Sequence, residues 1–342
     1  MNISVASLTT ICTKILRAVG ASDEESRLIS SQLIEANLRG QEGHGVTSIP
    51  ALVKSVKEGR MRFGVEVKMV MEAPSSAIID GNGSSGHIVT NRAMKLAIEK
   101  AKKHTVSIVG VRNVRDIGIL ANYPVMALED DMIGVILCNS FPQVAPYGGR
   151  IRLLGTNAIC IAIPSKSEQP IVLDMATSVI AARRLRSMYR AGERKIPEGL
   201  IIDSEGRPTT DLEDFFTGGA LLPFGGYKGS GLSIVIELLA GVLTGTGCSL
   251  TDPHFQQNGV LISVLNVGSF LPIDEFKEKV DYAIRSLKST PKAQGFKEII
   301  LPGELSYRSS MKMRKEGIDL DDETWLNLKS IEKELNLEGE NP

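Results

Sequence analysis

The sequence has little of what marks a specialised class of protein. Its four cysteines in 342 residues, Cys12, Cys138, Cys160 and Cys248, are scattered with no close pair. That excludes a disulfide scaffold or a cysteine-based zinc site, and predicts buried, reduced thiols in a cytoplasmic protein. The four histidines, at positions 44, 87, 104 and 254, show no metal-ligand spacing, so no metal is expected. Charge is balanced, with 39 basic and 40 acidic residues and no basic block, so nucleic acid is not an expected partner. The opening MNISVASLTT has no basic segment ahead of an apolar one and does not read as a secretory signal. The most apolar helix-like stretch, Leu232 to Leu243, is broken by Glu237 and too short to span a bilayer, so no membrane partner is expected. Repeats and low-complexity tracts are absent.

What is present is an ordinary globular composition. With 42% apolar and 23% charged residues, the chain can build one large or two smaller domains. The first 60 residues read as helices. Leu8, Ile11, Ile15, Leu16 and Val19 share one face, and Ser22-Asp-Glu-Glu25 is a capping box for the next helix. Gly43-His44-Gly45 then forms a sharp loop before a helix carrying Ile49, Leu52, Val53 and Val56. A histidine between glycines has no apolar surround to pack in, so His44 serves either a function or a cap.

From Val65 onward the pattern turns to short β-branched runs. Gly81-Asn-Gly-Ser-Ser-Gly86 follows a predicted strand and precedes a helix running to about His104, the setting of a Rossmann dinucleotide turn. Arg112 stands where that motif has an acidic residue. This allows either an NADP-type Rossmann unit or a plain glycine turn in another α/β fold.

Leu137 to Ser178 is richer. Two apolar runs, Asn157 to Pro164 and Pro170 to Leu173, end in small hydroxyl and amide residues. The strand end Asp174-Met-Ala-Thr-Ser178, followed by a helix from about Thr177 to Arg190, offers groups suited to a phosphate or ribose. Arg183, Arg184, Arg186 and Arg190 on that helix read as a solvated face, with one or two open to a phosphate. The Gly- and Pro-laden 192–229 segment reads as a lid or binding loop. Lys228 among glycines at a helix start is a candidate anion contact.

Together, Gly43-His44-Gly45-Val46, Cys138-Asn139-Ser140, Gly148-Gly149, Leu154-Gly-Thr156-Asn157, Asp174-Met175-Ala176-Thr177-Ser178, Lys228-Gly-x-Gly231-Leu232 and Pro302-Gly303-Glu304 resemble the non-Rossmann malate/L-lactate dehydrogenase family, in order and along nearly the whole chain. The resemblance implies a mixed-sheet α/β domain that binds NAD or NADP, over 75–271. It is inserted in a helical domain formed by both termini, 1–74 plus 272–342. It also implies a homodimer and hydride transfer at the carbon beside a carboxylate, in a 2-oxo or 2-hydroxy acid or a cyclic imino acid. By the same resemblance the cofactor contacts are Ser140, Thr156, Asn157, Asp174, Met175, Ala176, Lys228, Gly303 and Glu304, and the Gly81–Gly86 turn is not the dinucleotide site. Gly149 and Ser48 fall on the substrate side.

The departures cluster on that side. The family pattern has Ser at position 43, an Arg at 48, a Tyr at 52 and a second histidine at 116; this chain has Gly43, Ser48, Leu52 and Asp116. It also has Arg183-Arg184 for a Gly-Lys pair, Ser230 for a Tyr and Ala158 for a Pro. His44 is therefore the expected proton donor. Asp116 is expected to raise its pKa, to contact a cationic substrate, or to do neither. Loss of the Arg and gain of Asp116 point to a substrate less anionic than malate, unless Arg112 or Arg115 restores the cation. Two other readings of the same pocket are a nucleotide- or metabolite-binding sensor without redox chemistry and a non-redox isomerase or lyase.

Overall fold

The computed structural model describes residues 1–252 and 255–337. Histidine 254, one of the four considered above, lies outside the described residues. In chain order the elements are β1 (Asn2–Ile3), α1 (Val5–Ala18), α2 (Asp23–Leu38), α3 (Ile49–Lys57), β2 (Lys68–Glu72), β3 (Ser76–Asp80), α4 (Gly86–His104), β4 (Val106–Val114), β5 (Met132–Cys138), β6 (Ala158–Ile163), β7 (Ile171–Ala176) and α5 (Ala182–Arg190). There follow β8 (Ile201–Ile202), β9 (Pro208–Thr209), α6 (Leu212–Phe216), β10 (Ala220–Leu221), α7 (Tyr227–Ile236), β11 (Asn258–Asn266), α8 (Ile273–Ser289), α9 (Glu304–Glu316), β12 (Ile318–Asp319) and α10 (Asp322–Glu334).

The main sheet has seven strands in the order β2-β3-β4-β11-β5-β6-β7. Only β3 and β4, joined by α4, run parallel; the other neighbours are antiparallel. A Rossmann sheet needs successive parallel strands. The fold is therefore mixed α/β and non-Rossmann, and the Gly81–Gly86 turn opens its one parallel unit. Its glycines serve packing. A Cβ at Gly86 would lie 2.9 Å from Asp116 O and 3.1 Å from Arg115 O. The turn is thus what holds the 113–118 loop in place. Arg112 donates to Asp80 at 3.0 Å, so it is not held ready for a 2′-phosphate.

One core lies along the sheet and α4, with Val89, Met94, Val109, Ile136, Cys160 and Ile262 among its members. A second joins both ends of the chain, with Leu8, Ile15, Leu33, Ile49 and Leu52 against Ile318, Leu328 and Ile331. The expected capping box forms, Glu25 N–H donating to Ser22 Oγ and Ser22 N–H to Glu25 Oε2. All four cysteines are buried and free. Among the described residues no helix is long and apolar enough to cross a membrane.

Two local expectations are corrected. The 192–229 stretch is not an open loop. It folds into a three-stranded sheet, β10-β8-β9, and α6, around its own core of Leu185, Ile201, Leu212 and Phe215. Its apolar residues are spaced too irregularly for either period to show. Nor does a helix follow Asp174-Met-Ala directly. These residues belong to β7, paired with β6, and α5 begins only at Ala182. They therefore offer strand groups rather than a helix N-terminus.

Candidate active site

The His44 loop is two short 3-10 turns, Glu42–His44 and Val46–Ser48, hinged at Gly45. Val46 N–H donates to Asn37 Oδ1 at 2.8 Å, and a Cβ on Gly45 would run into that same side chain. Only glycine lets the loop close this tightly on the end of α2. The imidazole of His44 is left partly buried with Nδ1 unpartnered.

Two segments converge on it. The first is the 115–118 loop, whose Asp116 sits in the left-handed region at φ +51°. Its Oδ1 lies 3.9 Å from His87 Nε2 and accepts from Gly118 N–H. Gly118 packs on the His87 ring, where a Cβ would come to 2.5 Å from Cε1. His87 Nδ1 and Gln32 Oε1 are 2.6 Å apart, which sets Nδ1 as the protonated nitrogen and leaves buried Nε2 with no partner.

The second is α5. Arg183 Nη1 donates to Gly43 O and to Ser48 Oγ, both at 2.7 Å, while Nη2 lies 3.6 Å from Asp116 Oδ2. A Cβ at Gly43 would come to 3.1 Å from Arg183 Cβ. Gly43, Ser48, Asp116 and Arg183 thus form one packed set. Ser48 faces an arginine rather than open space, and that arginine is Arg183 of α5; Arg112 is paired with Asp80.

The electrostatics follow. Burial, then Arg183, pull His44 down to about 4; Asp116 pulls the other way and His87 adds to the lowering. The expectation that Asp116 raises this histidine names a real effect that is outweighed. Asp116 itself is held down to about 2, because Arg183 and the two histidines outweigh its burial. At neutral pH the cluster is one arginine, one carboxylate and two neutral imidazoles.

The cofactor-side residues meet around β6 and β7. Ser140 Oγ accepts from Thr156 N–H at 3.1 Å and lies 3.3 Å from Thr156 Oγ1. Asn157 Oδ1 accepts from Ser140 N–H, and its amide nitrogen donates to Ser233 O and Glu237. Asn157 is fully buried, so it frames the site without reaching a ligand. Phe224 N–H donates to Thr177 O, which brings the turn before exposed Lys228 alongside the end of β7. Asp174 accepts from Ala121 N–H at 3.0 Å and lines a cavity of about 110 Å³ with Arg39, Gln41, Gly303 and Ser306. Val172 N–H donates to Pro302 O, and a Cβ on Gly303, at φ +91°, would lie 3.0 Å from Val172 O. This close approach joins residues 130 positions apart in the chain. Glu304 is engaged otherwise. It accepts from Leu301 N–H, Lys288 and Arg308, which hold it down to about 2. Gly149 stands on an exposed turn closed by its own N–H to Pro146 O.

A family model described as malate/L-lactate dehydrogenase matches residues 3–329. The chain belongs to the malate/L-lactate dehydrogenase family. It is 39% identical to a malate/(S)-sulfolactate dehydrogenase of Methanothermus fervidus over 99% of both chains. It is 32% identical to an L-lactate dehydrogenase of Cupriavidus necator over 98% of this chain and 99% of the other. The structure of malate dehydrogenase from Pyrococcus horikoshii OT3 superposes with a TM-score of 0.91 at 34% identity, covering 99% of this chain and 97% of that one. The family member described here is accordingly an oxidoreductase of the dehydrogenase class acting on CH–OH groups.

Two residues of the site escaped sequence reasoning. Arg183 was legible as a departure from the family's Gly-Lys pair and as one of four arginines, one or two of them open to a phosphate, but not as the partner of Gly43 and Ser48. His87 was visible only as a histidine, and Gly118, the residue that admits its ring, looked like a loop glycine.

Proposed function

We propose that this chain is an NAD- or NADP-dependent dehydrogenase of a small 2-hydroxy acid, with His44 as the proton carrier. The observation that carries the proposal is where unpartnered buried polar atoms fall. Among the described residues they are Asn37 Nδ2, His44 Nδ1, Ser85 Oγ, His87 Nε2 and Thr90 Oγ1. The two histidine nitrogens belong to the charge cluster around Asp116. Buried polar atoms are almost always paired, so such a concentration marks a place built for something other than protein.

The residues fit a nicotinamide dinucleotide. Asp174 offers an acceptor for ribose hydroxyls, and the cleft it lines adjoins at Pro302 a further cavity of about 320 Å³. Ser140, Thr156, Met175, Ala176, Lys228 and Gly303 complete the proposed contacts, with Asn157 as their frame. When bound, the nicotinamide ring supplies the hydride acceptor for oxidation or the donor for reduction. NAD and NADP stay open, since Arg183 and Arg112 are committed elsewhere.

In oxidation, neutral His44 takes the hydroxyl proton as hydride leaves the adjacent carbon. In reduction it must first be protonated. A substrate carboxylate near Arg183 offsets the charge that depresses His44, and so favours the protonated form when it is needed. A cyclic imino acid would use the same proton path to nitrogen. We further propose a homodimer, a cytoplasmic location, and a helical part (1–74 with 272–342) around an α/β part (75–271). At its seam, β2 is hydrogen-bonded into the sheet, and Asp281 of α8 accepts the N–H groups of Lys166, Ser167 and Glu168.

The test is turnover of 2-hydroxy acids, 2-oxo acids and cyclic imino acids with each cofactor. Cofactor-dependent turnover of an acid, lost in His44→Gln while cofactor binding persists, supports the proposal. Binding of cofactor with no turnover of any member of the panel would instead support a sensor.

A further inference from the structure

We propose that Arg183 is the substrate anchor of this site: the residue that receives the acid group and sets which ligands are accepted. The proposal rests on the dehydrogenase reading above and assigns a role to a residue which that reading leaves only as an electrostatic neighbour.

A guanidinium carries five N–H donors in a fixed plane. Nη1 of Arg183 donates to Gly43 O and Ser48 Oγ, which fixes the plane of the group. Nη2 faces Asp116 Oδ2 at 3.6 Å, an ion-pair distance that is too long for a hydrogen bond. Among the described residues, no hydrogen bond engages the Nε and Nη2 edge. That edge is the one a carboxylate takes bidentately, through two parallel N–H···O bonds. The side chain is 36% exposed, so an entering acid can reach it.

Two further observations point to an anion. Arg186, one turn along α5, has no carboxylate within ion-pair distance among the described residues; its one bond of this kind is to Gln143 Oε1, at 2.9 Å. Burial, Arg183 and Arg190 all disfavour its charge, so positive charge on this face of the helix exceeds its local balance. Second, Gly43 is what admits Arg183 at all, since a side chain there would press on Arg183 Cβ. Gly43, Ser48 and Arg183 therefore act together. The two small residues provide the room and the lone pairs, and the arginine provides the charge.

Asp116 balances Arg183 across 3.6 Å and is partly shielded by it. The site therefore favours a carboxylate that can share Arg183 with Asp116, with its neighbouring oxygen or nitrogen directed at His44. On this proposal the substrate need not be less anionic than malate. The cation was relocated to α5 rather than lost.

The experiment measures oxalate binding by calorimetry, with the cofactor present, in the wild type and in Arg183→Met and Arg183→Lys. It is paired with KM, kcat and the pH profile on the best acid substrate. Loss of a desolvated charge partner predicts that Arg183→Met weakens oxalate and raises KM by about 100-fold, with a smaller change in kcat. Arg183→Lys should recover part of the loss, and added guanidinium ion should recover part of it in Arg183→Ala. The acidic limb of the pH profile should move upward in Arg183→Met, because the cation that depresses His44 is gone; the split between oxalate affinity and cofactor affinity is what separates an anchor from an electrostatic neighbour. Unchanged oxalate affinity and KM in Arg183→Met would overturn the proposal. So would a loss of oxalate binding accompanied by an equal loss of cofactor binding. If no acid is turned over but oxalate still depends on Arg183, the anchor stands and the dehydrogenase reading fails. If Arg183→Met turns over acid with KM and oxalate affinity both unchanged, the reverse holds.

Discussion

The two halves of this site solve opposite problems. Around Ser140, Thr156 and Asn157 the side chains satisfy one another: each polar group of the Asn157 amide is used, and buried Glu237 accepts from Asn157 and from Ser249 N–H and Oγ. Around His44 and Asp116 they do not: His44 Nδ1 and His87 Nε2 are buried there without a partner. A closed network holds its shape without a ligand and makes a rigid platform. An open one pays desolvation for groups that only a ligand can satisfy. The difference explains why the family pattern persists in one half and is rewritten in the other. A platform constrains all its members at once, whereas a recognition cluster can exchange one cation position for another provided that room and counter-charge move with it, as Gly43, Ser48, Asp116 and Arg183 show.

The comparison can be broken from either side. The largest effect is expected on the open side: His44→Gln should lower kcat by about 100- to 10,000-fold, as removal of a general acid–base does, with cofactor affinity by nicotinamide fluorescence unchanged. On the closed side, Gly303→Ala should do the converse. At φ +91°, against Val172 O, a side chain forces the turn outward, and cofactor affinity should fall by roughly tenfold while kcat at saturation changes little. Asp116→Asn removes the group that raises His44. The pH limb in kcat should move to lower pH, and reduction at pH 7 should slow by about three- to tenfold in stopped-flow turnover. The smallest effect is on stability. His44 is buried as the neutral form, with its pKa lowered from 6.5 to about 4. Between those values the unfolded chain binds more protons than the folded one, so stability falls as pH drops through that window. The cost is on the order of 2–3 kcal/mol, and denaturant unfolding at pH 7 and pH 4 should show it reduced in His44→Gln.

Much of the fold was legible because its elements carry their own signals. The Ser22–Glu25 capping box marks the start of α2, and the short β-branched runs after Val65 mark where the sheet begins, at β2 and β3. The cofactor half was legible as a set of blocks, with Asp174-Met-Ala at a strand end, although the helix after it begins at Ala182 and not near Thr177. A hydroxyl-rich strand end and a helix N-terminus look alike without the pairing partner. The substrate half was legible only as departures. Reading Ser48 and Asp116 as losses was reasonable one position at a time. The compensation comes from residue 183, some 135 positions away, and helix amphipathicity alone cannot tell an arginine facing solvent from one facing a neighbouring loop. The glycine turn at 81–86 misled in a similar way. Its spacing suits a phosphate, but what it admits is the backbone of Arg115 and Asp116.

On the proposed mechanism the open cluster does the chemistry through His44, and the pH dependence of kcat/KM for 2-hydroxy acid oxidation, in the wild type beside His44→Gln, reads this out. The wild-type rate should rise with pH through an acidic limb in the region of pH 4 and then level, as a neutral imidazole base requires. That limb should be absent from the residual activity of His44→Gln. The same limb, at undiminished rate, in the variant would contradict it.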